Sequence, residues 1–508
     1  MHNRQSKNIG RAVSGVVILT LIAKLMGFFR EIVLGFFFGA TGISDAYLIS
    51  QNIPGTIFQF VGTGLLTCFI PVYYRVSSED EDTVEYTNRI LSVVFVFSTV
   101  VIVFVWLFTQ RIVSVFASGF EGETLYYAIW FTRIGVLSLY FSSMIYVYNS
   151  YLNANHVFTP TAFAAIPYSL FIMLAIVLGA KINIWLLSIG SLFSVGIQLL
   201  FLMPAMRKTG YKFRLYSSLD NSYVKLFFRL MLPVILGVSV NELNALVDRT
   251  LASQAAVGGI SALTYANSLI QFVQGGIAQP IATVYYPQIT EYISAGNHNE
   301  AKRSMEKSIE LVLGILIPIT MGFIIYSYPI TKILFEHGVF DETATLLTST
   351  AVKFYSIGIC FAALREFLSR YYYANSNTRT PMINASVGVV CNIIFNIVLS
   401  KRMGIAGLAI ATSISAAITS LLLYKDTRTK TESGILSIRK IEIFKIIVTS
   451  ALMGCVSFAV YSILPDGGLV SLVLSVLVGI LVYVIIGKVL RLEIIDFLIE
   501  MLSKVITR

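Results

Sequence analysis

A chain of 508 residues that is 56% hydrophobic and only 13% charged, with a mean hydropathy of +0.78, is too apolar for a soluble globular protein and too charge-poor to be disordered. Its 37 basic residues exceed the 27 acidic ones by +10, which in a soluble protein would raise nucleic acid as a partner. In an integral membrane protein the same excess belongs to cytoplasmic turns, which excludes nucleic acid and leaves no soluble catalytic domain to assign.

A spanning helix needs about 20 apolar residues. Fourteen such runs are predicted, near 12–37, 44–73, 89–110, 124–151, 160–179, 183–205, 223–253, 259–287, 306–334, 345–373, 381–400, 405–424, 441–463 and 468–489. The first is too long for a signal-peptide core and lacks a small-residue cleavage site before Lys24, so it reads as an uncleaved helix. It holds Lys24, Arg30 and Glu31, where each ionised side chain costs several kcal/mol in a bilayer. Lys24 and Glu31 are seven residues apart and share a face, while Arg30 points about 120° away from Lys24 and is left without a counter-charge. A guanidinium fork matches phosphate or diphosphate oxygens bidentately, so Arg30 predicts an anionic, phosphate-bearing amphiphile as cargo. Asp45 opens the second span, and the run Glu79-Asp80-Glu81-Asp82 after it reads as a solvated charge cluster.

Further along, the spans contain Arg133, Glu242, Asp248, Arg249, Lys353, Arg365, Glu366 and Arg370. Lys353 and Arg370 are expected to pair or to snorkel. Arg365 and Glu366, as sequence neighbours, do not face each other; they either pair or snorkel like the others or serve a neighbouring helix. Asn392 and Asn396 lie one turn apart on the eleventh span, and Thr412 follows Gly407-Leu408-Ala409 on the twelfth. With Asp248 they make a hard-oxygen set suited to a Na⁺ ion; the plainer reading is interhelical hydrogen bonding by Asn and Thr. Cys68, Cys360, Cys391 and Cys455 have no metal-ligand spacing and read as buried small hydrophobes.

Gly42-Ile43-Ser44 recurs as Gly259-Ile260-Ser261, an offset of 217 at which Glu31 falls on Asp248. Tyr151 with Thr159-Pro160 recurs as Tyr372 with Thr380-Pro381, an offset of 221. Six spans per repeat, an even number, give both halves one orientation. The expected fold is therefore an all-α polytopic membrane protein. Its parts are an N-lobe (1–205), a cytoplasmic linker (206–222), a C-lobe (223–424), a second linker (425–440) and a C-terminal helix pair with tail (441–508). Arg4, Lys7 and Arg11, then Arg207, Lys208, Lys212 and Arg214, Lys302, Arg303 and Lys307, and Lys425, Arg428, Lys430, Arg439 and Lys440 all fall on one side. The other side has little beyond Arg111, Lys181, Lys332, Lys401 and Arg402, so both termini are placed in the cytoplasm.

These residues resemble the MurJ lipid II flippases, within the superfamily that also holds Wzx oligosaccharide flippases and multidrug/cation (MATE) antiporters. The matching stretches are Gly27-Phe28-Phe29-Arg30-Glu31, Phe38-Gly39-Ala40, Asp45-Ala46, Ile53-Pro54, Phe69-Ile70-Pro71, Thr132-Arg133-Ile134, Phe158-Thr159-Pro160-Thr161, Asp248, Ala252-Ser253, Ser261-Ala262-Leu263, Tyr265-Ala266-Asn267, Tyr373-Ala374 and Thr378-Arg379-Thr380-Pro381. The resemblance implies a V-shaped pair of lobes around a cationic cavity in the bacterial cytoplasmic membrane. It implies lipid II as cargo, membrane lipids and cell-wall synthesis machinery as partners, and no required cofactor. By the same resemblance Lys24, Arg30, Glu31 and Asp45 contact the cargo, and Asp248, Asn392, Asn396 and Thr412 look like a Na⁺ site. Two family arginines are missing: Gly55-Thr56-Ile57-Phe58-Gln59 follows Pro54, and Ser268 follows Tyr265-Ala266-Asn267. Their loss keeps open another polyprenyl-diphosphate oligosaccharide, such as a capsule or cell-wall glycan unit. A cavity bearing Lys24 and Arg30 repels cationic drugs, and the short outer loops argue against an enzyme.

Overall fold

The computed structural model describes residues 2–216, 221–430, 436, 439–464 and 468–496, with side chains except at 2–14, 236–237 and 428–430. The side chains of Arg4, Lys7, Arg11, Arg428 and Lys430, parts of both linkers (217–220, 431–435 and 437–438) and the tail from 497 lie outside the described residues. Among the described residues the fold is wholly helical. In order come α1 (His2–Phe38), α2 (Gly42–Ser78), α3 (Thr83–Phe116), α4 (Gly122–Gly135), α5 (Ser138–Ala154), α6 (Thr159–Phe163), α7 (Ala165–Lys181), α8 (Trp185–Lys208) and α9 (Ser222–Ala255). Then follow α10 (Gly259–Val273), a π turn (Gln274–Ala278), α11 (Gln279–Ser294), α12 (His298–Phe335), α13 (Glu342–Ile357), α14 (Ile359–Ala374), α15 (Arg379–Met403), α16 (Ile405–Lys430), α17 (Lys440–Ile463) and α18 (Leu469–Val489). Each of the fourteen expected runs falls on one helix or one broken succession. Among the described residues nine helices are long and apolar enough to cross a membrane, twelve when each bent pair counts as one span; the other two runs lie on α1 and on α10 with α11.

The repeat extends to the defects. The pair α4 and α5 is bent by 46° and the pair α13 and α14 by 43°, each at the fourth span of its half. The helical path breaks at Phe108 in α3 and at Tyr326 in α12, an offset of 326 − 108 = 218. In α12 the break precedes Pro329, whose ring cannot donate to the carbonyl of Ile325. In α3 the Thr109 hydroxyl donates back to the carbonyl of Val105 at 2.6 Å, a local competitor that bends helices.

By backbone packing the chain divides into two compact units, Met1–Ser261 with Gly338–Phe340 and Ala262–His337 with Asp341–Arg508. In the first, α2 packs against α4, α5 and α9, and α1 lies on α7. Lipid tails are as apolar as leucine, so close packing and polar bonds must hold such helices together. Tyr47 Oη and Ser191 Oγ meet at 2.8 Å, and Ser98 Oγ and Ser143 Oγ at 2.6 Å.

The second unit is built around Leu316, Phe367, Tyr371 and Tyr372, all buried. There Gly388 lets α16 approach α15, since a Cβ at that position would strike the Thr419 hydroxyl. The pair α17 and α18 sits on α12 through Met453, Tyr483 and Ile494, and Tyr483 Oη donates to the Gly314 carbonyl at 2.7 Å. Arg439 clamps this arrangement from the aqueous side. It donates to Glu310 on α12 at 2.8 and 2.6 Å and to Glu493 beyond α18 at 2.5 and 2.7 Å, and it holds the Glu493 carboxyl below its ordinary range.

Candidate functional site

Arg30 and Glu31 follow one another on α1, which crosses the first unit against α7. Arg30 donates to Glu31 Oε1 through Nε at 3.2 Å and through Nη2 at 2.7 Å, with 30% of its side chain exposed against 6% for Glu31. This corrects the expectation that Arg30 lacks a counter-charge. Adjacent helix positions diverge by about 100° at the Cα, but a stem as long as arginine's can turn its fork sideways onto the neighbouring carboxylate. The pairing leaves Nη1 without a partner among the described residues, and Glu31 Oε2 is buried without a hydrogen bond. Tyr47 on α2 and Tyr168 on α7 stand within electrostatic reach of the guanidinium. Lys24 is exposed earlier on the same helix, and at Gly27, between the two cations, a side chain would meet open space. The arrangement presents a partly satisfied fork, backed by its own carboxylate, to an anion.

Asp45 has a different setting. It is 1% exposed, and its Oδ1 accepts both the backbone N–H and the hydroxyl of Ser261 at 2.7 Å. A carboxylate here satisfies an orphan donor at the start of α10 and complements the helix dipole. Ser44 Oγ lies 3.2 Å from Ser261 Oγ, so the two serines matched by the 217-residue repeat touch each other. Gly258, at φ +77°, brings its turn onto the Ala40 carbonyl more closely than any side chain would allow. Beside them Val339 N donates to the Phe36 carbonyl at 2.9 Å.

Sequence reasoning missed a third feature. No Lys or Arg lies between Arg30 and Arg75 in sequence, yet Arg249 on α9 directs Nη1 to Thr56 Oγ1 on α2 at 3.3 Å. Glu242 and Asp248 lie within its electrostatic reach. At Gly55, beside Thr56, a side chain would meet open space. A guanidinium thus stands at the stretch after Pro54 where the chain itself has none. The only signal in the sequence was an ionised residue in the seventh span.

The oxygen cluster is partly assembled within the second unit. Asn396 Nδ2 donates to Asn392 Oδ1 at 2.8 Å, and Asn392 Nδ2 reaches Thr412 Oγ1 at 3.4 Å, linking α15 to α16. Asp248 stands on α9 in the first unit. Among the described residues no group of three His, Cys, Asp or Glu could hold a metal.

Three of the other in-span charges find local partners. Arg133 stacks over Trp106 and Trp130 at 5.1 and 4.9 Å. Arg370 pairs with Glu366 at 2.9 Å. In the acidic run Glu79 pairs with Arg75 at 2.9 Å, and Asp82 caps α3 by accepting from Val84 N. Of the cysteines only Cys68 is buried, and Cys455 is exposed on α17, which corrects the expectation that all four are core residues.

Comparison with known proteins aligns residues 35–479 with the family model "Lipid II flippase MurJ". A probable lipid II flippase MurJ of Rickettsia prowazekii is 26% identical over 455 residues, covering 87% of this chain and 89% of the relative. One from Thermotoga maritima is 25% identical over 475 residues, 93% and 95% of the two chains. Among solved structures, a lipid II flippase MurJ in an inward closed conformation superposes with a TM-score of 0.83 at 26% identity, covering 94% of this chain and 99% of that one. An inward-facing MATE multidrug transporter of the MOP superfamily matches at 0.65 and 13% identity over 80% and 96%, a likeness of fold alone.

Proposed function

The chain belongs to the MurJ family of lipid II flippases, and from that premise we propose that it moves lipid II from the inner to the outer leaflet of the bacterial cytoplasmic membrane by alternating access, as a transporter without covalent chemistry. The carrying observation is the family match over residues 35–479. The relatives matched are probable lipid II flippases, which favours this cargo over another polyprenyl-diphosphate oligosaccharide.

In this reading Arg30 receives the lipid diphosphate with Lys24 nearby, and Glu31 is the counter-ion that the diphosphate displaces. A carrier must bind its cargo weakly enough to let it go. An adjacent carboxylate that reclaims the guanidinium on release supplies that competition. Arg249 adds a second fork at Thr56. The Asp45–Ser261 bonds clasp the first turn of α2 to the first turn of α10. Tyr223 Oη to Glu79 at 2.7 Å and Arg249 to Thr56 at 3.3 Å tie α9 to α2 and its C-terminal end, and α9 packs within the first unit. Both termini are cytoplasmic by the positive-inside bias, and the product passes to cell-wall synthesis machinery.

Asn392, Asn396 and Thr412 offer the hard oxygens that a coupling Na⁺ prefers, and Asp248 is the carboxylate that would complete the set. When bound, Na⁺ would supply a positive charge to be moved with or against the cargo. Protection of the purified protein against thermal unfolding by Na⁺ over K⁺, lost in Asp248→Asn, tests it apart from transport.

Growth rescue of a bacterium depleted of its own lipid II flippase tests the function. Failure of rescue despite normal membrane levels would move the cargo to another polyprenyl-diphosphate glycan.

A further inference from the structure

On the first unit a groove of about 760 Å³ opens between α3 and α9, with α2 beneath it. Ile57 and Phe60 of α2, Val93 and Phe97 of α3, and Phe227 and Phe228 of α9 line it. The lining is apolar except near its ends, where Arg229 and Ser239 contribute. Beneath it Met231 packs into the space that Gly64 leaves on α2.

Arg229 is exposed, and among the described residues it makes no hydrogen bond or ion pair. Ten residues of α9 separate Arg229 from Ser239, a path of about 15 Å at the helical rise that turns by 46° after Ile235, so the groove reaches across at most one leaflet of a hydrocarbon core about 30 Å thick. A single cation at one end of an apolar channel of that depth has the polarity and length of one lipid molecule.

We infer that this groove is a binding site for an anionic phospholipid of the leaflet at which α9 begins, with its phosphate on the Arg229 guanidinium and an acyl chain along Phe227, Phe97 and Ile57. That leaflet is the cytoplasmic one in the orientation proposed above. Charge complementarity selects an anionic head over a zwitterionic one, because a guanidinium forms its strongest bonds with phosphate and a neighbouring ammonium on the lipid would be repelled. The cargo's polyprenyl diphosphate fits less well, since two phosphates would meet one cation and the chain would outrun a groove that ends at Ser239.

The test uses the full chain purified in detergent, incubated with equal amounts of phosphatidylglycerol and phosphatidylcholine of matched chains, and separately with undecaprenyl phosphate, with retained lipid counted by native mass spectrometry. Wild type should keep one phosphatidylglycerol in preference to phosphatidylcholine. Arg229→Gln should cut that preference about tenfold, the ratio expected for loss of one charge-assisted phosphate contact. Val93→Trp, which fills the groove from α3 and leaves Arg229 in place, should lower retention as well; both variants are compared at matched thermal stability. Equal retention of phosphatidylglycerol by wild type and Arg229→Gln would overturn the site, as would retention that Val93→Trp leaves unchanged. Preferential capture of undecaprenyl phosphate that Arg229→Gln abolishes would overturn the phospholipid and give the groove to the cargo. None of these readouts depends on flipping.

Discussion

Replacing Arg30 by alanine does two things at once, and the structure separates them. The guanidinium is the sole partner of Glu31 Oε1 among the bonds seen, the Glu31 side chain is 6% exposed, and its Oε2 has no hydrogen bond. Arg30→Ala therefore leaves a buried carboxylate uncompensated within a membrane helix. Breaking a buried pair in this way costs about 3–5 kcal/mol, and the low end, about 3 kcal/mol, applies here because Arg30 keeps 30% of its side chain exposed. Loss of growth rescue by Arg30→Ala alone would thus not separate a lost cargo contact from a weakened fold. The double variant Arg30→Ala/Glu31→Gln removes the orphaned charge and should recover most of that stability. The cycle of wild type, both single variants and the double, read by unfolding in detergent, measures the coupling. Flipping scored in the same four proteins should be lost in Arg30→Ala and stay lost in the double variant. If Arg30→Ala is as stable as wild type, the ion pair has no energetic weight; if the stable double variant flips at the wild-type rate, Arg30 is not a cargo contact.

Asp45→Ala removes two 2.7 Å bonds and leaves the Ser261 amide buried without an acceptor, so a loss of about 3 kcal/mol is expected, with Asp45→Asn nearer 1 kcal/mol. Hydrogen exchange at the first turn of α10 should quicken in Asp45→Ala, and unchanged protection there would deny the clasp. Arg249→Ala loses a 3.3 Å bond to the Thr56 hydroxyl and the cation within reach of Glu242 and Asp248, so stability should fall by about 1–3 kcal/mol while flipping falls; undiminished flipping would leave Arg249 a structural residue. The Glu493 carboxyl, held low by Arg439, contributes stability that is fully present above the ordinary carboxylate pKa of about 4.3 and is lost as pH falls through its lower folded value. Exchange across α17 and α18 should therefore accelerate below about pH 4 in wild type, and Arg439→Gln should show fast exchange at all pH values. A wild-type profile flat with pH would remove the Arg439 clamp from the attachment of the pair.

The sequence alone determined the class, the helices and the repeat. Lipid cannot satisfy a bare peptide group, so any apolar run of spanning length must close its own backbone hydrogen bonds as a helix, a constraint read residue by residue from hydropathy. The repeat was legible in the matched turns, which are local properties of the chain, whereas the paired breaks at Phe108 and Tyr326 became visible only in the structure. The partnerships that make the site were not legible. Ser261 meets Asp45 across 216 residues and Arg249 meets Thr56 across 193, and no periodicity within either helix announces which faces will touch. Even the adjacent Arg30 and Glu31 were misjudged, because helix geometry dictates where a Cβ points while burial decides where a long side chain ends. In a protein whose solvent is hydrocarbon, each buried polar group must find its partner inside the fold. That choice depends on how helices distant in sequence are packed together, which only the tertiary structure decides.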